Sequence, residues 1–207
     1  MLDDILTFPA DHKIFRFANL IKDSEALRAL GLDPSNVETF SDYLTPYSAN
    51  DLLDAPFQIK PQIDKASFPQ SRFSDGSWSV FYAALEQATT EAEIVHHYLK
   101  PALGKPSQPR TVYFDRLSCH YRGNTKDLRP KLSQWSKLVS NDHGFCQELG
   151  RKAIAEQLDG FFAPSARRDN GTTVPVFQRR ALNNGKVLDR IAFSMNPQTG
   201  KISTKNL

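Results

Sequence analysis

Residues 71–97 read SRFSDGSWSVFYAALEQATTEAEIVHH, a turn, a strand and a helix in immediate succession. Ser74, Asp75 and Gly76 are turn formers by their small or locally hydrogen-bonding side chains. The run WSVFYAAL, Trp78 to Leu85, is rich in aromatic and β-branched residues and predicts a strand on which Tyr82 shares a face with Trp78, Val80 and Ala84. From Thr90 to Leu99 the apolar residues Ala92, Val95 and Leu99 recur at spacings of three and four until Pro101 stops the pattern, which predicts a helix. A strand that feeds directly into a helix sets the class as mixed.

Upstream, Lys13 to Phe17 interleaves basic and apolar residues as a short strand does, and Ser24 to Leu30 predicts a helix entered from Asp23. Gly31 to Ser71 is dense in Pro, Asp and Ser and reads as loop mixed with short helices. Downstream, Thr111 to Phe114 predicts a strand, and Leu132 to Val139 a short helix that turns Trp135 and Leu138 inward. A longer helix is expected from an N-cap at Asp142 through Phe145, Leu149, Ala153 and Leu158 to a left-handed C-cap at Gly160. Phe161 to Ala163 and Val174 to Arg179 then read as strands around the polar loop Ser165 to Thr173, followed by a hairpin turning at Asn196 to Gly200. The pattern is α+β: a single compact domain of mixed, mainly antiparallel sheets flanked by helices.

The 207 residues carry 26 Lys and Arg against 23 Asp and Glu, a formal net charge of +3, so the large basic excess of a nucleic-acid wrapper is missing. Two cysteines, Cys119 and Cys146, are too few for a disulfide scaffold; they fit free thiols in a reducing cytoplasm, with one disulfide left open. The start at Met1, Leu2, Asp3, Asp4 lacks a positively charged leader, and no apolar run approaches the roughly 20 residues of a membrane span. A protein of the cytoplasm, that of the producing cell or of a target cell into which it is delivered, with no membrane partner is expected.

Arg72, Tyr82, Glu93 and Ser165 form the constellation with most chemical content, and Arg16 on the early strand joins them as a second cation. Each also has a plainer reading. Thr90 and Glu93 stand in the Ser/Thr-x-x-Glu relation of a capping box, Tyr82 suits a half-buried strand, Arg72 a surface ion pair, Ser165 a turn, and Arg16 a sheet edge. Cys119, His120, His143 and Cys146 have zinc-capable side chains, but their order matches no common finger spacing, so no metal is expected.

The segment Ser71 to His97, taken with DGFFAPSARR at Asp159 to Arg168, resembles the RES family, named for its arginine, glutamate and serine. There the arginine precedes a strand tyrosine by ten residues and the glutamate has a histidine four residues on, as Arg72, Tyr82, Glu93 and His97 do; Pro164, Ser165, Ala166 and Arg167 match the late serine loop. The resemblance spans roughly Ile14 to Phe177 and implies one domain over 1–207, with a core of about 14–177 and a C-terminal extension of 178–207. Many members have Gly-Arg-Trp where this chain has Ser71, Arg72 and Phe73, and the interval from Arg16 to Arg72 is longer than in compact members.

The resemblance implies an ADP-ribosyltransferase-like fold and a bacterial toxin that takes NAD as substrate and cleaves its nicotinamide–ribose bond. It also implies an antitoxin protein whose tail blocks the NAD pocket. Cleaving this bond builds positive charge on the ribose, which a fixed carboxylate stabilises, the part for Glu93. Arg72 suits the pyrophosphate, Tyr82 offers a flat face to nicotinamide, Ser165 holds the glutamate or ribose, and Arg16 is a further phosphate ligand. Water, inorganic phosphate or a protein side chain is the acceptor. Glu91 and Glu93 also spell the Glu-x-Glu of arginine-modifying ADP-ribosyltransferases, but residues two apart differ by about 200° on a helix and do not face one pocket. The non-enzymatic alternative is a nucleic-acid-binding module, in which Arg167, Arg168, Arg179 and Arg180 flank a stacking Phe177.

Overall fold

One long strand organises the molecule in the computed structural model, which describes residues 2–19, 48–58, 68–103 and 110–207. In chain order the elements are β1 (Thr7–Asn19), α1 (Ala49–Asp54), β2 (Phe81–Ala84), α2 (Gln87–Ile94), β3 (Arg110–Asp127), α3 (Gly144–Ala155), β4 (Gly160–Pro164), β5 (Thr172–Val176), β6 (Leu182–Met195) and β7 (Ile202–Asn206). Along one edge of β3 lies β1, antiparallel from Thr7 opposite Lys126 to Asn19 opposite Phe114. The other edge takes β6, antiparallel, and then β4, parallel at Thr125 to Asp127. Strand β4 continues to β5, β5 to β2, and β2 returns to β1 through the pair Phe15 and Ala84. Five strands therefore close a ring, with β6 and β7 fanning out from β3 beside it. The fold is α+β with a mainly antiparallel sheet, as expected.

Strand β3 has 18 residues where the sequence predicts four, Thr111 to Phe114. Its apolar alternation is broken by buried polar residues whose partners lie far away in sequence. Lys126 donates to the Leu2 carbonyl at 2.8 Å and pairs with Glu156 at 3.0 Å, and Asp115 accepts from Arg190 at 3.0 Å. Paired in this way, buried charges persist in a strand that periodicity alone cannot recognise.

Other boundaries move for local reasons. Strand β2 begins at Phe81 rather than Trp78, because Ser74 donates to the Trp78 carbonyl and the Trp78 indole donates to the Phe73 carbonyl, folding that segment into the turn. The predicted helix 132–139 is instead a turn over 132–134 and a single 3₁₀ turn, Ser136–Val139, with another 3₁₀ turn, Arg129–Lys131, just before it; Leu138 is buried and Trp135 packs edge-on to Phe145. Helix α3 starts one residue later than expected: His143 occupies the N-cap position, while the Asp142 carboxylate accepts from the Gly144 amide. It also ends earlier. Gln157, at φ 54°, is the left-handed residue, and the Leu158 amide reaches back to the Ala153 carbonyl. Gly160 opens β4 instead, where a Cβ would meet the Pro175 carbonyl and the Tyr121 hydroxyl at 2.8 Å each. Strand β5 stops at Val176, short of the predicted Arg179.

The hairpin at Asn196 to Gly200 forms as expected, joining β6 to β7. The stretch 178–207 is woven into the sheet, with Leu182, Ile191, Phe193 and Met195 of β6 buried. The predicted helix Ser24 to Leu30 lies outside the described residues, as does most of the predicted loop 31–71, within which α1 is capped by Ser48. Among the described residues, three apolar clusters fill the interior: Phe73, Leu149 and Phe161 beneath α3, Ile14, Phe81 and Tyr121 within the ring, and Phe17, Phe114 and Phe193 under the end of the α2 segment. Cys119 and Cys146 are buried free thiols in different clusters, so the disulfide left open does not form.

Candidate active site

Between β1, β2, α2 and the loop after β4 lies a cleft of about 460 Å³, within the range of small-molecule sites. Glu93 reaches it from α2. This helix begins at Gln87, and Thr90 donates to the Gln87 carbonyl, so Thr90 and Glu93 form no capping box and Glu93 sits inside the helix with no end to close. Its carboxylate is held at both oxygens. Ser165 Oγ donates to Oε1 at 3.3 Å, and His97 Nε2 lies 3.3 Å from Oε2. Glu91 is not on the cleft wall, in keeping with the angular separation of residues two apart.

Ser165 follows β4 and is nearly buried. Its amide donates to the Gly171 carbonyl at 2.8 Å, closing the loop, and its hydroxyl oxygen accepts from the Arg167 and Arg168 amides at 3.1 Å each. Those two amides orient the hydroxyl so that its own proton points to Glu93. The residue is both a turn former and a holder of the glutamate.

Arg72 and Tyr82 line the same cleft and are strongly tethered. Arg72 Nη1 donates to the carbonyls of Leu138 at 3.1 Å and Ser140 at 2.6 Å, anchoring the 71–74 turn to the segment before α3. The Tyr82 hydroxyl accepts from the Phe73 amide at 2.8 Å and donates to Ser71 Oγ at 2.9 Å. Burial pushes its phenol pKa up to about 12, against the smaller opposing effect of those hydrogen bonds. With its hydroxyl engaged, Tyr82 offers the cleft its ring.

Arg16 stands on β1 and donates through Nη1 to the Tyr82 carbonyl at 2.7 Å, with its guanidinium 4.7 Å from the Phe81 ring centre. Its Nε is buried without a hydrogen-bond partner among the described residues. Desolvation lowers its pKa from the ordinary arginine value. A second cleft of about 350 Å³ adjoins the first and shares Arg16, Ser71, Tyr82 and Tyr98 with it, so Arg16 stands at the seam.

The structure thus brings Arg16, Arg72, Tyr82 and Glu93 to one cleft, while Ser165 stays off its wall, between the lining residues Pro164 and Ala166, and joins the site through its hydrogen bond to Glu93. It adds Tyr98 and His143, which the sequence reading missed. Tyr98 was findable, because Thr90, Ile94 and Tyr98 repeat at four residues along the Glu93 face. His143 carried no such signal.

The surface proposed for nucleic acid is otherwise engaged. Phe177 is buried edge-on to Phe161, Arg167 donates to Asn141, Arg168 to Thr89, Arg179 pairs with Asp54 and Arg180 with Asp159. Phe177 is therefore not available to stack on a base.

A crystal structure of the MbcT–MbcA toxin–antitoxin complex of M. tuberculosis aligns at 13% sequence identity and a TM-score of 0.49, over 88% of this chain and 86% of that one. No curated protein matches. The RES domain profile matches residues 45–196, a span that contains Arg72, Tyr82, Glu93 and Ser165. The chain therefore belongs to the RES domain family.

Proposed function

We propose that this cleft binds NAD and cleaves the bond between its nicotinamide nitrogen and the ribose C1′. The observation that carries the reading is the Glu93 carboxylate, held at one oxygen by Ser165 and at the other by His97, in the same cleft as Arg16 and Arg72. In this bond the leaving nitrogen is already cationic; it takes the electron pair and departs neutral, so no acid is required. The difficulty lies on the ribose, which becomes an oxocarbenium-like cation, and a preorganised carboxylate beside it lowers that barrier. The two guanidiniums answer the pyrophosphate, Arg16 with an Nε that has no partner among the described residues, and the Tyr82 ring packs against the nicotinamide. No metal is invoked.

Family membership supports a toxin that depletes NAD in the cytoplasm and is restrained by an antitoxin covering the cleft. Transfer of ADP-ribose to a protein uses the same residues up to the last step. Incubating the purified chain with NAD, with and without phosphate or candidate proteins, and identifying products by mass separates these outcomes. Absence of nicotinamide above the blank in every arm would sink the NAD reading.

Ser165→Ala tests how Glu93 is held. It removes the donor to Glu93 and the acceptor of two loop amides, so kcat should fall roughly tenfold while the KM for NAD changes less. Steady-state kinetics check this, and a change confined to KM would assign Ser165 to ground-state binding alone.

A further inference from the structure

The cleft wall carries two imidazoles that differ in what they touch. His97 is committed to Glu93. His143 is half-buried on the wall, and its side chain makes no hydrogen bond among the described residues. It occupies the N-cap position of α3 without capping it; the neighbouring Asp142 carboxylate accepts from the Gly144 amide instead. Helix geometry therefore gives no reason for an imidazole at 143.

We propose that His143 is the general base that deprotonates the attacking water, making the reaction a hydrolysis; this rests on the NAD reading above. As the bond from C1′ to the nicotinamide nitrogen breaks, its electron pair leaves with nicotinamide. A water oxygen bonds to C1′, and the water proton passes to the free nitrogen of His143. The products are nicotinamide, ADP-ribose and a proton, which His143 releases to solvent.

The surroundings suit that role. A base must be neutral near pH 7, and burial holds the His143 pKa below the usual 6.5, assisted by Arg72, Arg167 and His97 and opposed by Asp142. Glu93 is badly placed to serve as this base. Its charge is needed against the ribose cation, and its two oxygens already face Ser165 and His97.

The test uses the full chain with NAD in phosphate-free buffer, following nicotinamide release and product mass. In His143→Ala the kcat should fall about 100-fold with KM little changed, since general bases typically contribute at least that much. Azide supplies a nucleophile with no proton to remove. It should restore nicotinamide release in the variant, yielding the azido adduct of ADP-ribose, and stimulate the wild type far less. Wild-type kcat should drop as pH falls through the His143 pKa, because protonated imidazole accepts nothing, and that limb should vanish in the azide-rescued variant. His143→Gln, close in size, repeats the test if the alanine variant unfolds. Wild-type hydrolysis by both variants, or equal azide stimulation of variant and wild type, would overturn the proposal. So would a wild type that needs phosphate or protein as acceptor, though the NAD reading would then stand; a wild type that releases no nicotinamide in any arm fails at the earlier step.

Discussion

Glu93→Gln should fold normally and lose about 100-fold to 1000-fold in kcat for nicotinamide release, the range for deleting one oriented group that meets charge developing in a transition state. The side chain keeps its shape, and the amide oxygen still accepts from Ser165. At the other position the amide nitrogen is a donor, so His97 must present a lone pair where it now faces a carboxylate oxygen. What disappears is the negative charge. NAD affinity, measured by calorimetry or by KM, should change far less, because the arginines answer the pyrophosphate in ground and transition states alike. Near wild-type turnover by this variant would reduce Glu93 to an ordinary polar residue on the cleft wall.

Gly150→Ala should have the largest effect on stability. On an exposed helix this substitution is stabilising by up to about 1 kcal/mol, since alanine is the better helix former. Here Gly150 is buried in α3, and an added Cβ would lie 2.2 Å from the Phe73 carbonyl oxygen and 3.1 Å from Trp78 Cζ2. Neither neighbour yields cheaply. The carbonyl is backbone and accepts from the Trp78 indole, so the helix must move away from the turn that carries Arg72. Overpacking of this kind costs roughly 1–3 kcal/mol, equivalent to a Tm lower by roughly 2–12 °C for a chain of this size. Calorimetry would check it; an unchanged or raised Tm would mean that helix and turn do not approach so closely.

The parts of the site that were legible in the sequence are those in which spacing and structure are local. Arg72, Tyr82 and Glu93 lie within 22 residues, and a turn, strand and helix in succession carry them to one cleft. Where the reading fell short, the missing information was long-range. The Arg72 partners Leu138 and Ser140 lie 66 and 68 residues downstream, so nothing near Arg72 announces that it anchors two carbonyls. The length of β3 was hidden by Lys126 and Asp115, which look like loop residues until Glu156 and Arg190 are beside them. The turn after α2 was illegible for another reason: Val95–Leu99 widens into a π-helix, which a three-and-four spacing cannot distinguish from an α-helix.

The position of β3 between β1 and β4 ties the onset of activity to the progress of synthesis. The first strand leaves the ribosome more than 90 residues ahead of its partner, and the ring closes only after β5, at residues 172–176, has joined β4 to β2. Until then Glu93 has no positioned Ser165 to hold it, and Arg16 lies on a strand paired with β3 in a sheet that has not closed. A chain halted at Pro164 should accordingly be digested quickly by protease, whereas the finished chain resists. At translation rates of about 5–20 residues per second, the nascent protein spends roughly ten to thirty seconds as an inert, open chain before any cleft exists. A partner that acts on the growing chain would meet it in that interval, ahead of the first turnover.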